Sequence, residues 1–117
     1  MIFVTGPLYA GKKTFLKKKF SLTDEDLHVY AVWDVQDQAG TAPPEELAER
    51  FCRYEIVIGT EIGAGVIPID PKERAHREAA GRLACCLAEQ ADCVVRICCG
   101  LPQILKGKLP SDIRQRE

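Results

Sequence analysis

The chain has 117 residues, 46% of them apolar, and its 16 lysines and arginines nearly balance 17 acidic residues, for a formal net charge of −1. That size suits one compact domain burying about two thirds of the surface its unfolded form exposes, and the balanced charge supplies no global basic field to recruit nucleic acid or an anionic membrane. No apolar run approaches the roughly 18 residues of a membrane span, and no basic flank precedes a long apolar stretch at the N-terminus, so the chain reads as a cytoplasmic protein.

The segment "IFVT" is an unbroken apolar run ending in glycine, the pattern of a buried parallel strand feeding a turn. From Lys12 to about Phe20, "KKTFLKKKF" sets Phe15, Leu16 and Phe20 at helix spacing among lysines, which predicts a short amphipathic helix. "SLTDEDL" reads as a polar connector whose Thr23 to Asp26 spacing suits a capped turn. "HVYAVWD", residues 28–34, reads as a second strand ending in Asp34. After the loop "VQDQAGTAPP", Pro44 opens a helix with Leu47, Phe51 and Tyr54 on one face. "EIVIGTE" is a third strand, followed by the glycine-rich "IGAGVIPIDP" and a long helix, "KERAHREAAGRLACCLAEQA". "CVVRICC" is the last strand and "GLP" a turn. Residues 1–108 are expected to form one α/β domain, and the charged tail 109–117 has little to bury.

Alternating strands and helices predict a mainly parallel sheet covered by helices. Such sheets bind ligands beyond their C-terminal strand ends, where Gly6–Thr14, Asp34 and Thr60 with Glu61 are expected to meet.

"GPLYAGKKT" carries the strongest chemical signal. Gly6, Gly11 and Lys12 keep the G-x-x-x-x-G-K spacing of a phosphate-cradling P-loop, with Pro7, Leu8, Tyr9 and Ala10 between the glycines. Two glycines let successive backbone N–H groups face one anion, the helix start adds its positive dipole end, and Lys12 adds a full charge. The competing reading is a plain strand-to-helix turn. Where such loops place a magnesium-binding Ser or Thr, this chain has Lys13, and Thr14 is one position late. A second lysine either neutralises phosphate charge without magnesium or competes with the ion, and both argue against ordinary magnesium-dependent phosphoryl transfer. Asp34 is placed like a carboxylate that holds magnesium through water, and equally like a turn residue.

The remaining polar groups carry blander readings. Lys17, Lys18 and Lys19 form a solvated helix face, and His28 and His76 have no partners in sequence that suggest a triad or a metal site. Cys52, Cys85, Cys86, Cys93, Cys98 and Cys99 lack C-x-x-C spacing and read as small buried hydrophobes in a reducing compartment.

From Gly59 to Gly107 the sequence resembles the bifunctional adenosylcobinamide kinase / adenosylcobinamide-phosphate guanylyltransferase family of cobalamin biosynthesis. Glu61, Ile62, Gly63, Gly65 and Pro68 fit that family's N-E-V-G-x-G-x-V-P element. Arg77, Glu78 and Gly81 fit its R-D-x-x-G helix, and Gly100, Pro102 and Lys106 its G-x-P turn and lysine; "IFVTGPLYAGKK" fits its first strand and phosphate loop. The resemblance implies a P-loop-containing, RecA-like fold, ATP or GTP as phosphate donor, Mg2+ as its usual companion, adenosylcobinamide as acceptor and a homo-oligomeric assembly. Family members are longer and carry a further strand and helix holding the histidine that accepts GMP; "FSLTDEDLHV" stands in that place. His28 lacks that helical context, so guanylyl transfer is not carried over. The family's Asn-Gln pair is Ala84 and Cys85 here.

Two functions follow. One is a minimal kinase in which Lys12 steadies the transferring phosphoryl group, Asp34 holds magnesium and Glu61 positions the acceptor hydroxyl. The other is an accessory or regulatory protein that binds nucleotide, phosphate, corrinoid or a protein partner without turnover.

Overall fold

The computed structural model describes residues 1–62 and 69–113. Its strands and helices are β1 (Ile2–Thr5), α1 (Lys12–Phe20), α2 (Asp24–Tyr30), β2 (Ala31–Val32), α3 (Pro44–Phe51), β3 (Ile56–Ile58), α4 (Pro71–Gln90), β4 (Cys93–Cys98) and β5 (Leu101–Lys106), with a 3-10 turn at Val35–Gln38. The sheet runs β2-β3-β1-β4-β5. Its first four strands are parallel, and β5 returns antiparallel along β4.

Strand alternation divides the core between two faces. Ile2, Val4, Ile56, Ile58, Val95 and Ile97 point to one side, packed with Leu16 and Phe20 of α1 and Leu27 of α2. Met1, Phe3, Val57 and Val94 point to the other, against Leu47 and Phe51 of α3 and Leu83 and Leu87 of α4. Because both faces are covered, the parallel strands carry continuous apolar runs.

Three expectations are corrected. Residues 28–30 are helical, so the second strand shrinks from 28–34 to Ala31–Val32. A reciprocal capping box starts α2: Thr23 Oγ1 accepts from the Asp26 N–H at 3.1 Å, and Asp26 Oδ2 accepts from the Thr23 N–H at 2.9 Å. With two orphan donors satisfied and Leu27 buried, the helix overrides the β preference of "HVY", and Val29 is left in solvent. "GLP" is not the turn. Cys99 and Gly100, both with positive φ, make the turn, and Leu101 and Pro102 already belong to β5. Tyr54 lies beyond the end of α3 and is 39% exposed, leaving Leu47 and Phe51 as its buried anchors.

The cysteines and the tail also differ from expectation. Of the six cysteines only Cys93 is buried; Cys85, Cys98 and Cys99 are exposed, and none is disulfide-bonded. Cys98 and Cys99 sit at the hairpin turn, and Cys85 lies on the exposed side of α4, so apolar neighbours in sequence did not place them in the core. In the tail, Leu109 packs on the α1 side of the core and Ile113 is 3% exposed within it. Ile113→Ala is therefore expected to cost about 2–4 kcal/mol in chemical denaturation; unchanged stability would remove the tail from the core.

Candidate functional site

The loop between β1 and α1 is tied to the strands on both sides. Gly6 O accepts from the Glu61 N–H at 2.9 Å, and Ala10 O accepts from the Gly100 N–H at 2.8 Å. Gly6 has φ +147°, and a Cβ there would lie 2.2 Å from Ile97 O, so only glycine lets β1 turn away this close to β4. Tyr9 and Gly11 also have positive φ. Gly11 stands at the N-cap of α1 with no side chain capping it, and no acidic residue lies in the first turn. No side chain at the N-cap and no first-turn carboxylate therefore complements the positive helix end.

Lys12 is the buried charged residue among those described, 9% exposed. Its Nζ donates to Pro7 O at 2.7 Å and Gly6 O at 3.3 Å, folding the side chain over its own loop. Burial pulls its pKa down, while the nearby carboxylates of Asp34 and Glu61 push it back up. Glu61 is thus bonded through its N–H to the loop, and Asp34 lies near enough to act on Lys12 electrostatically, both just beyond the C-terminal ends of β3 and β2. Asp34 is exposed and left-handed, with φ 55°, and opens the 3-10 turn, so the turn reading and the site reading apply to the same residue.

Lys13 and Thr14 diverge from Lys12, as neighbouring helical positions do. Lys13 Nζ lies over the Trp33 ring, 4.1 Å from its centroid, and His28 meets the same ring edge-on at 5.1 Å. Thr14 lines a shallow groove with Phe15, Lys18, Lys19 and Gly100. Of the last-turn lysines, Lys17 pairs with Asp24 at 2.6 Å. His76 has a packing role: its Nε2 is 2.9 Å from Gln36 O.

Sequence reasoning missed Arg96. It sits in β4 opposite Thr5, and its Nε and Nη2 donate to Glu61 Oε1 and Oε2 at 2.6 and 3.1 Å, a bidentate pair. The signal available was one charged residue inside the apolar run "CVVRICC". Arg96 first, and Lys12 more weakly, hold the Glu61 carboxyl below the usual range against the effect of burial. Beside it opens a cavity of about 200 Å³, lined by Thr5, Gln36, Thr60, Glu61, Arg77 and Ala84 among others. Gly63, Gly65 and Pro68 lie outside the described residues.

A parallel α/β sheet whose first loop, a buried lysine and two carboxylates meet at the strand ends defines a candidate anion-binding protein of the α/β class. The family model for cobinamide kinase / cobinamide phosphate guanyltransferase matches residues 35–105, more than half of the chain, and the chain belongs to that family. The match spans α3 through nearly all of β5, including Glu61 and Arg96, and begins after the glycine-cornered loop. A comparison with curated proteins finds no significant match.

Two measurements probe this geometry. Gly6→Ala is expected to lower stability by about 2 kcal/mol or more, because the strained φ and the Ile97 carbonyl act together; a neutral result would contradict the close approach. Glu61 has a depressed pKa in the folded state, so its stabilisation is present above the unfolded carboxyl pKa and lost as pH falls through the folded value. The difference in melting temperature between wild type and Glu61→Gln should narrow as pH is lowered from 7 to 3; a constant gap would deny the pairing.

Proposed function

We propose that this chain is a nucleotide-binding member of the family, taking ATP or GTP by its phosphates on residues 6–14. The observation that carries the reading is the buried Lys12, folded into a glycine-cornered loop at an uncapped helix start with Asp34 and Glu61 near it. Gly6, Leu8, Tyr9, Ala10, Gly11, Lys12, Lys13 and Thr14 supply the cradle through backbone N–H groups, Pro7 shapes the loop without a donor of its own, and Lys12 adds its ammonium. The family description supplies the acceptor class, a cobinamide, and the chemistry of a kinase. In that reaction a bond forms between an acceptor hydroxyl oxygen and the γ-phosphorus while the bond to the nucleoside diphosphate breaks. The hydroxyl proton leaves to solvent, and Glu61 orients the hydroxyl.

Magnesium fits this site poorly. Asp34 offers one carboxylate, position 13 offers an ammonium in place of a hydroxyl, and the described residues include no group of three or more His, Cys, Asp or Glu able to hold a metal ion. That donor set favours a second reading, binding without turnover in an accessory or regulatory role. His28, packed on Trp33, is given no part in guanylyl transfer.

The domain is taken to include the tail through Ile113, which is buried in the core, and to work in the cytoplasm, with no membrane or nucleic-acid partner; no described helix is long and apolar enough to cross a membrane. A homo-oligomer is proposed from the exposed Leu101, Ile104 and Leu105 of β5.

Calorimetric titration with ATP and GTP, with and without magnesium, tests the reading. Micromolar binding is expected, weakened about tenfold or more in Lys12→Ala. Equal affinity in the variant, or no binding by wild type, would overturn the phosphate site. Binding strengthened by magnesium would assign Asp34 to the metal and support the kinase; indifference to magnesium would support the accessory role.

A further inference from the structure

Four charged side chains converge at the strand ends, and their charges cancel. Asp34 and Glu61 lie close enough to act electrostatically on Lys12, whose Nζ donates to the same Gly6 carbonyl that the Glu61 N–H holds, and Glu61 is gripped by both Nε and Nη2 of Arg96. Arg96 lies in β4 with its side chain 36% exposed. Arg77 lines the neighbouring cavity with Glu61. Backbone also orients Glu61: its N–H is bonded to Gly6 O, so the carboxylate is anchored to the loop that presents Lys12.

We propose that Arg96 is a positioning residue that clamps the Glu61 carboxylate and so keeps the Lys12 ammonium available to a phosphate group. This rests on the nucleotide-binding reading given above. Two physical effects act in the same direction. With Arg96 in place, Glu61 has both oxygens satisfied and its negative charge is compensated locally. Without it, a half-buried carboxylate loses its bidentate partner and is left to the Lys12 ammonium, which shares the Gly6 carbonyl with the Glu61 N–H, and to Arg77 across the cavity. The quartet then carries a net negative charge where the phosphates must bind, which opposes an anionic ligand. A guanidinium suits this task because its planar fork holds both carboxylate oxygens at once; a lysine keeps the charge but loses the fork.

The expected pattern separates a clamp from a phosphate contact. In calorimetry with ATP at pH 7, Arg96→Met should bind about tenfold more weakly than wild type. Arg96→Lys should fall between the two. Glu61→Gln combined with Arg96→Met removes the competing carboxylate along with its clamp and should restore affinity to near wild type. A merely structural role for Arg96 would not be rescued by a second substitution beside it. Wild-type affinity in Arg96→Met would overturn the proposal, as would a double variant as weak as Arg96→Met, which would place Arg96 on the phosphate itself. Should Arg96→Met fail to fold, full wild-type affinity in Arg96→Lys would overturn it.

If wild type binds no ATP, the nucleotide reading fails independently of the clamp. The clamp is then read by carbon NMR of the Glu61 carboxyl. Its titration midpoint should rise in Arg96→Met, or in Arg96→Lys if that is the variant that folds, and an unchanged midpoint would overturn it.

Discussion

The loop between Gly6 and Gly11 has little freedom, and the rest of the site depends on that. Ile97 O leaves no room for a Cβ at Gly6, the Glu61 N–H holds Gly6 O, and the Gly100 N–H holds Ala10 O. A segment tied to β4, to the end of β3 and to the β4–β5 turn cannot move without disturbing the parallel sheet. The hydrophobic layers on both faces therefore fix the loop indirectly: Val4 and Ile97, both fully buried, set the spacing of the strands from which it departs. On the proposed reading, a loop held this way lowers the ordering cost of receiving an anion on its backbone N–H groups.

Electrostatics divides the labour within that frame. Lys12 is buried enough for its charge to be disfavoured, and two carboxylates counter that only in part, so its pKa stays lowered. Each carboxylate also dilutes the positive field an anion needs, so their own partners matter. Glu61 is neutralised by Arg96, whereas Asp34 stands exposed at the head of the 3-10 turn. Lys13 is removed from this balance by Trp33, whose ring face takes its ammonium. Two adjacent lysines at one helix start thus do different work, one facing the loop and one bracing α1 against the residue before Asp34.

Much of this was legible in the sequence because local and global preferences agreed. Buried apolar runs marked β1, β3 and β4, Pro44 marked a helix start, and the glycine-lysine spacing marked the loop. The family resemblance is supported by the match over residues 35–105. Where signals competed, the reading went astray. Residues 28–30 look like a strand by composition, but the Thr23–Asp26 capping box begins a helix that carries through them. β5 was hidden because all six of its residues are exposed and Pro102 suggested a turn; proline is tolerated there because β5 is an edge strand. Arg96 escaped notice because a pairing between residues 35 positions apart leaves no local trace. Cys85, Cys98 and Cys99 misled because composition is blind to which side of an element faces the core.

The most direct test of the anion site is to follow backbone amide shifts of the protein by 15N NMR as inorganic pyrophosphate is added. Saturable shifts concentrated in residues 6–14, with Gly11 to Thr14 prominent, are expected from a loop whose N–H groups receive the anion. Shifts confined to the exposed Lys18 and Lys19 face, or none at millimolar pyrophosphate, would contradict the central claim and leave the loop a structural turn.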